Sequence, residues 1–182
     1  MITATKNTMY HVSVLFADLM SKEFTITDAY GKTHVMSGNG IGYRHQFDNA
    51  VKRFGVCRRG RGGKIISLSR PLSSLNVDKM DTVIKDVILH ELAHAFAFEI
   101  YGQRAWNHGT LWKHTARAIG ADDSRCYEAS EVQGVKPKYT MTCPNGHTQG
   151  RQKLTAKMSR VSCGKCCNYF NPAYKYTITQ NY

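Results

Sequence analysis

The sequence has no apolar run that approaches the roughly 20 residues needed to cross a membrane as a helix. It also lacks the basic segment and apolar core of a secretory signal at its N-terminus. We therefore expect a protein that stays in a reducing cytoplasm and has no membrane partner. In that setting, the six cysteines are expected to be metal ligands or free thiols rather than disulfides.

Acidic residues are scarce, and the last part of the chain has none. Lys and Arg number 25 against 13 Asp and Glu, which gives a formal net charge of +12 over 182 residues. No Asp or Glu occurs from Val132 to Tyr182, where eight side chains are basic. This charge favours an acidic partner, and nucleic acid is the commonest one. There are no internal repeats, and the length suits one domain with an appendage or two small domains.

Glycine and proline are absent from Val83 to Phe98, a strongly apolar stretch that predicts a buried helix. The pattern H-E-x-x-H occupies residues 90–94 within it. Residues four apart share one face of a helix, so His90 and His94 can bind a single metal ion, and zinc suits imidazole. Glu91 can then act as a general base that takes a proton from a zinc-bound water and delivers it to a leaving amine.

A catalytic zinc site needs a third protein ligand, and the sequence offers more than one. His108 is favoured because it lies 14 residues after His94, beyond a turn at Gly102 that lets the chain fold back. His114 is a second possibility on the following predicted helix. Glu99 is weaker, because it lies five residues past His94 on the same helix and points elsewhere.

A second set of ligand-type residues lies near the C-terminus. Cys143 and His147 form one close pair and Cys163 and Cys166 another, with 15 residues between the two pairs. Two such pairs are typical of a zinc ribbon, which we predict over residues 136–178, after a core at residues 9–125. Cys167 could replace Cys166, although the two-residue spacing favours Cys166. We thus expect two zinc ions per chain, one catalytic and one structural.

Residues 43–70 predict strands around a glycine-rich turn. The segment Lys64–Ser69 is β-prone, and Arg53–Cys57 can pair with it in antiparallel orientation across the turn at residues 59–63. Cations on this hairpin and in the C-terminal segment could contact phosphates, although a solvated basic hairpin tip explains the first group equally well. The predicted nucleic-acid contacts are Arg58, Arg59, Arg61, Lys64, Arg151 and Lys153.

An ordered series of motifs over roughly residues 43–120 resembles the SprT-like metalloproteases, which include bacterial SprT proteins and eukaryotic Spartan. The motifs are Phe47-Asp48-Asn49-Ala50, Arg53-Phe54-Gly55-Val56-Cys57, Gly60-Arg61-Gly62-Gly63, Ile66-Ser67-Leu68-Ser69, Pro71-Leu72, His90-Glu91-Leu92-Ala93-His94-Ala95 and Asn107-His108-Gly109 with Trp112. The resemblance implies zinc on His90, His94 and His108 and Glu91 as general base. It implies an α+β fold: a zincin-like helical metalloprotease core with a small antiparallel sheet, followed by a zinc-ribbon subdomain.

Spartan has a similar core and cleaves proteins crosslinked to DNA. The ribbon of this chain departs from the family pattern by using His147 where four cysteines are often seen. The compact size is similar to that of bacterial or bacteriophage members, so the expected location is the nucleoid or the cytoplasm of a phage host.

We therefore predict a zinc-dependent endopeptidase that acts on DNA-associated or DNA-crosslinked proteins, as in DNA–protein crosslink repair. Its nucleic-acid partner is expected to be DNA that is single-stranded or has exposed bases. Tyr101 and His114 are two possible donors to the oxyanion formed during cleavage, and the sequence does not choose between them. The alternatives are a non-catalytic DNA-binding zinc protein and a metal-dependent hydrolase of another amide substrate.

Overall fold

The structure is mixed α and β, and the chain divides into two units, Met1–Val135 and Lys136–Tyr182. The computed structural model describes residues 3–124 and 132–182. Cys126, a single cysteine that the sequence assigns to no cluster, lies outside the described residues. Within them, no helix is both long enough and apolar enough to cross a membrane.

The first unit contains helices, a two-stranded hairpin and a three-stranded sheet. Its helices are α1 (Thr3–Ser21), α2 (Arg70–Leu75), α3 (Lys85–Tyr101) and α4 (Thr110–Ala118). Its strands are β1 (Phe24–Thr27), β2 (Thr33–Met36), β3 (Arg44–Asp48), β4 (Gly55–Gly60) and β5 (Gly63–Ser69). Helix α1 begins before residue 9, where the sequence placed the start of the core.

The three-stranded sheet is mixed, so the expectation of an antiparallel sheet is wrong for one of its pairs. Strands β4 and β5 pair antiparallel, as the sequence predicts, but the pairing continues to Gly60 opposite Gly63, so Arg59 lies in the strand and not in the predicted turn. Strand β3, however, pairs in parallel with β5, which lies between β3 and β4. The chain reverses once after β3 and again at the tight turn after β4, so β5 regains the direction of β3. Strand β4 is left at the edge of the sheet.

Helix α3 is the centre of the hydrophobic core. Ile88, Leu92 and Phe96 on it are fully buried, because the apolar residues surround the helix rather than forming one stripe. Each such side chain contributes about 1.5–3 kcal/mol by burial. A π-helical turn at Met80–Ile84 leads into the helix, and Gly102, with φ of 68°, ends it. The polar residues of α3 are therefore held on a rigid support.

The second unit is a small antiparallel sheet with little apolar interior. Its strands are β6 (Tyr139–Thr142), β7 (Thr148–Arg151) and β8 (Thr177–Gln180), in the order β7-β6-β8. Short 3₁₀ turns occupy Ala156–Arg160 and Pro172–Tyr174. Among the residues described in this unit, the buried apolar ones are Met141, Cys143 and Cys163. Since two of these three are potential metal ligands, the unit has almost no core of its own.

Candidate metal centres and the cleft

Three imidazoles converge at one point in the first unit. The Nε2 atom of His108 lies 2.9 Å from Nε2 of His90 and 3.1 Å from Nε2 of His94. Two nitrogens bound tetrahedrally to zinc at about 2.0–2.1 Å would lie roughly 3.3 Å apart. The three residues therefore fit one zinc ion, with room for a fourth ligand.

Local structure explains why the third imidazole reaches the other two. His90 and His94 lie one turn apart on α3, and the chain then reverses at Gly102. His108 follows in a loop that the side chain of Asn107 closes by accepting a hydrogen bond of 3.0 Å from the backbone N–H of Gly109. A β-carbon at position 109 would lie 2.8 Å from that Asn107 oxygen, so a larger residue there would displace the Asn107 side chain from this hydrogen bond.

Trp112 packs against all three imidazoles. Its ring centroid lies 4.7 Å from that of His90, 5.2 Å from His94 and 4.5 Å from His108, and the side chain is fully buried. Burial, with a smaller contribution from the neighbouring imidazoles, lowers the pKa of His90 to about 4 and that of His94 to about 3. Both histidines are therefore neutral near pH 7, which is the state that binds metal.

Glu91 is buried against the edge strand β4. The carboxylate accepts a hydrogen bond from the backbone N–H of Cys57, while burial raises its pKa to about 7. Gly55 makes this approach possible, since a β-carbon there would lie 2.7 Å from Oε1 of Glu91 and 2.8 Å from Cγ1 of Val87. The sequence motif includes Gly55 and Trp112, but only the folded contacts reveal what they touch.

A cleft of about 630 Å³ opens over this centre. Its walls include the three histidines, Glu91, the edge strand β4 and the preceding segment, residues 51–54. Tyr101 and His114, the two possible oxyanion donors, do not line it. The Tyr101 hydroxyl instead accepts a hydrogen bond of 2.8 Å from the backbone N–H of Ala29, and Nε2 of His114 lies 2.8 Å from the carbonyl of Thr27. Both contacts are with the end of β1 and the residues that follow it, and not with a residue that lines the cleft.

The second centre brings together the four residues that the sequence grouped as a ribbon site. Nδ1 of His147 lies 3.6 Å from the sulfurs of Cys143 and Cys163 and 3.3 Å from that of Cys166. The sulfurs of Cys143 and Cys166 are 3.8 Å apart. Tetrahedral zinc with Zn–S near 2.3 Å would separate two sulfurs by about 3.8 Å and a sulfur and a nitrogen by about 3.6 Å. The cluster therefore also fits zinc.

Polar neighbours support the sulfurs of this second centre. The amide of Asn145 donates to the sulfur of Cys166 over 3.4 Å. A hydrogen bond from Tyr176 is the main cause that lowers the pKa of Cys163, which favours the thiolate. Cys167, the alternative ligand, is not part of the cluster.

The six cations expected to contact nucleic acid fall into two groups. Arg58, Arg59, Arg61 and Lys64 lie on the β4–β5 hairpin of the first unit, and Arg151 and Lys153 lie in the second unit. Glu99 accepts hydrogen bonds of 2.5 Å from Arg59 and 2.7 Å from Lys64, so these two charges are partly neutralised. Glu99 thus holds the hairpin to α3 and takes no part in the histidine cluster.

Together these observations define a mixed α and β protein with a three-histidine cluster that fits a metal ion, two of its members being on the central helix. The chain belongs to the SprT-like family, whose family model matches residues 29–133. The resemblance seen in the sequence is therefore confirmed.

The chain is similar to several curated proteins named Protein SprT. One from Pseudomonas putida strain W619 is 26% identical over 118 residues, which is 59% of this chain and 72% of that protein. The one from Pseudomonas aeruginosa is 27% identical over 135 residues, covering 67% of this chain and 82% of that protein. The one from Vibrio parahaemolyticus is 31% identical over 88 residues, covering 46% and 53%. No solved structure matches the chain significantly.

Proposed function

We propose that this chain is a zinc-dependent endopeptidase with a zincin-type core, acting on proteins that are associated with or crosslinked to DNA. The observation that carries the proposal is the placement of Glu91 beside three converging imidazoles in an open cleft. A purely structural metal site has no need of a buried carboxylate next to it.

The chemistry divides between the metal and the chain. A zinc ion on His90, His94 and His108 would supply Lewis-acid polarisation of the scissile carbonyl and lower the pKa of the attacking water. Glu91 would accept the proton of that water and then donate it to the departing amide nitrogen. The Glu91 side chain is packed against Gly55 of β4, which keeps the carboxylate beside that strand.

The edge of β4 offers the substrate a backbone to pair with. Strand β4 has a neighbour on one side only, and residues 55–57 line the cleft. A polypeptide in extended form can add to such an edge through main-chain hydrogen bonds with groups other than the Cys57 N–H, which faces Glu91, and these bonds are independent of its side chains. Pairing of this kind selects an unfolded or extended segment rather than a particular sequence.

The basic charge of the chain supports the choice of substrates on DNA. The net charge is +12. Residues 55–57 of β4 line the cleft, and the next cations along the chain are those of the hairpin, Arg58, Arg59, Arg61 and Lys64. Substrate choice would then come from co-localisation on DNA more than from a side-chain pocket. Binding to DNA should weaken steeply with salt, because cations on phosphates release counterions.

The test compares the wild type with Glu91→Gln on a basic DNA-binding protein, with and without single-stranded DNA. Both proteins are first shown to carry the same zinc content and to unfold at the same temperature. We expect DNA-stimulated cleavage that falls by at least about 100-fold in the variant, the order of a lost general base.

Each other outcome removes a specific part of the proposal. Equal cleavage without DNA would retain the peptidase and discard the coupling to nucleic acid. Hydrolysis of small amides but of no polypeptide would favour the alternative hydrolase. Zinc bound at the histidines without hydrolysis of either would favour the non-catalytic DNA-binding protein.

A further inference from the structure

A second groove continues from the metal cleft along β4. It has a volume of about 390 Å³, and its walls include Arg58, Arg59, Gly60 and Trp106. Cys57 and Trp106 line both this groove and the metal cleft. The two depressions therefore meet along the same stretch of strand and the same indole ring.

Trp106 presents an exposed aromatic surface that is held in place. Its side chain is 40% exposed, which is unusual for a tryptophan beside a core helix. The edge of its ring system meets Phe98 at a centroid distance of 5.4 Å, and the guanidinium of Arg59 lies 4.4 Å from the Phe98 centroid on α3. Arg59 is tied in turn to Glu99. These contacts fix the indole without covering it.

The cations of the groove differ in their availability. Arg59 is occupied by Glu99 and Phe98, so it serves mainly to hold the groove wall. Arg58 and Arg61 are exposed and have no ion-pair partner within the part of the chain that the structure describes. Arg58 lines the groove together with Trp106, whereas Arg61 lies in the hairpin turn next to it.

We propose that this groove binds a short single-stranded segment of nucleic acid, with one base stacked on Trp106 and the adjoining phosphate on Arg58. This deepens the proposed function, on which it rests for its partner, by assigning a nucleic-acid site to the protease unit itself. A strand in the groove would end beside the metal cleft, so an attached protein would enter that cleft directly.

The chemistry of the groove favours a single strand over its competitors. A stacking aromatic needs the face of an unpaired base, which a duplex does not offer. An acidic peptide could pair with Arg58, but its carboxylates would leave the indole surface unused. Pockets of about 300–1,000 Å³ hold a ligand of drug size, so the groove has room for a nucleotide unit.

The experiment uses the tryptophan itself as the reporter. The chain has two tryptophans, and the other, Trp112, is fully buried, so a ligand in the groove acts first on the emission of Trp106. The full-length, zinc-loaded Glu91→Gln protein is titrated with an oligothymidylate of about eight nucleotides, within the usual site size. Fluorescence quenching reports the groove, and anisotropy of a labelled oligonucleotide reports total binding.

We expect saturable quenching that is lost in Trp106→Phe. Arg58→Ala should weaken the affinity read by quenching by about 5-fold or more and lower the slope of log affinity against log salt by about 0.7. The matched control is Arg117→Ala, which removes a guanidinium from α4, where it pairs with Asp123. The control should leave both the quenching and its salt slope unchanged.

Two results would overturn the assignment. Binding by anisotropy without quenching would place the nucleic acid elsewhere on the chain. Quenching by polyglutamate but not by oligothymidylate would make the groove a site for acidic peptide. The titration contains no cleavable substrate, so its failure is distinguishable from failure of the peptidase, which is tested separately on an unstructured peptide without nucleic acid.

Discussion

Replacing Gly55 by alanine should disable the proposed general base while leaving the metal in place. The added β-carbon would lie 2.7 Å from Oε1 and 2.8 Å from Cγ of Glu91. Ordinary van der Waals contacts begin at 3.4 Å, so the side chain must retreat by about 0.6–0.7 Å. The retreat would also stretch the hydrogen bond from the backbone of Cys57.

The magnitude follows from how little the surroundings can yield. Glu91 lies on α3, whose neighbouring residues Leu92 and Ala93 are fully buried, so the helix backbone cannot move away cheaply. Overpacking of this kind costs about 1–3 kcal/mol of stability. A displacement approaching 1 Å at a reacting group can cost about 100-fold in rate. We therefore expect kcat/KM to fall by about two orders of magnitude, with two zinc ions retained.

The assay combines zinc content, thermal unfolding and kcat/KM on an unstructured peptide. The same β-carbon also overlaps Val87, at 2.8 Å from Cγ1, which supplies a control. In Gly55→Ala with Val87→Ala, that second overlap is gone, yet the overlap with Glu91 remains. Activity that recovers along with stability in the double variant would show that general packing, and not the position of Glu91, sets the rate. Unchanged activity in Gly55→Ala alone would refute the reasoning directly.

Three further changes should give distinct results. Trp112→Ala should lower the free energy of unfolding by about 3–5 kcal/mol in urea titration, because a fully buried indole is removed; a loss below about 1 kcal/mol would contradict the packing described. His147→Ala should release one zinc ion and abolish the dispersed NMR signals of residues 136–182, whereas His147→Cys should retain both. The hydrogen bond from His34 lowers the pKa of Asp28. The ionised Asp28 should therefore stabilise the fold above the ordinary carboxyl pKa, and this stabilisation should be lost as the pH falls. Asp28→Asn should remove this part of the acid dependence of the free energy of unfolding.

Local periodicity was enough to predict the helical part of the first centre. The spacing of His90 and His94 depends only on the pitch of a helix, and the apolar stretch around them specified that helix. The chain reversal at Gly102 could also be predicted from the sequence, since a glycine after a long apolar helix is typical of a helix end. These signals lie within about 20 residues of one another in the chain.

Contacts between distant segments could not be read in the same way. The sequence showed the β4–β5 turn but not that β5 inserts beside β3, because strand order depends on packing rather than on local pattern. Arg59 and Glu99 are 40 residues apart, so their pairing appears only after α3 packs on the sheet. The contact between Gly55 and Glu91 could not be predicted for the same reason. A glycine in the sequence indicates that a side chain is absent, but it does not identify the residue that packs in that space.

With zinc bound as proposed, the two ligand clusters would act as reversible cross-links in a chain whose described cysteines form no disulfide. The first centre would join positions 18 residues apart and the second positions 23 residues apart. Unlike a disulfide, such a link strengthens with the free concentration of its ion, because binding adds to stability as the logarithm of that concentration. The abundance of this protein should therefore follow the zinc supply of its cell, with chains made during zinc shortage degraded before they can act.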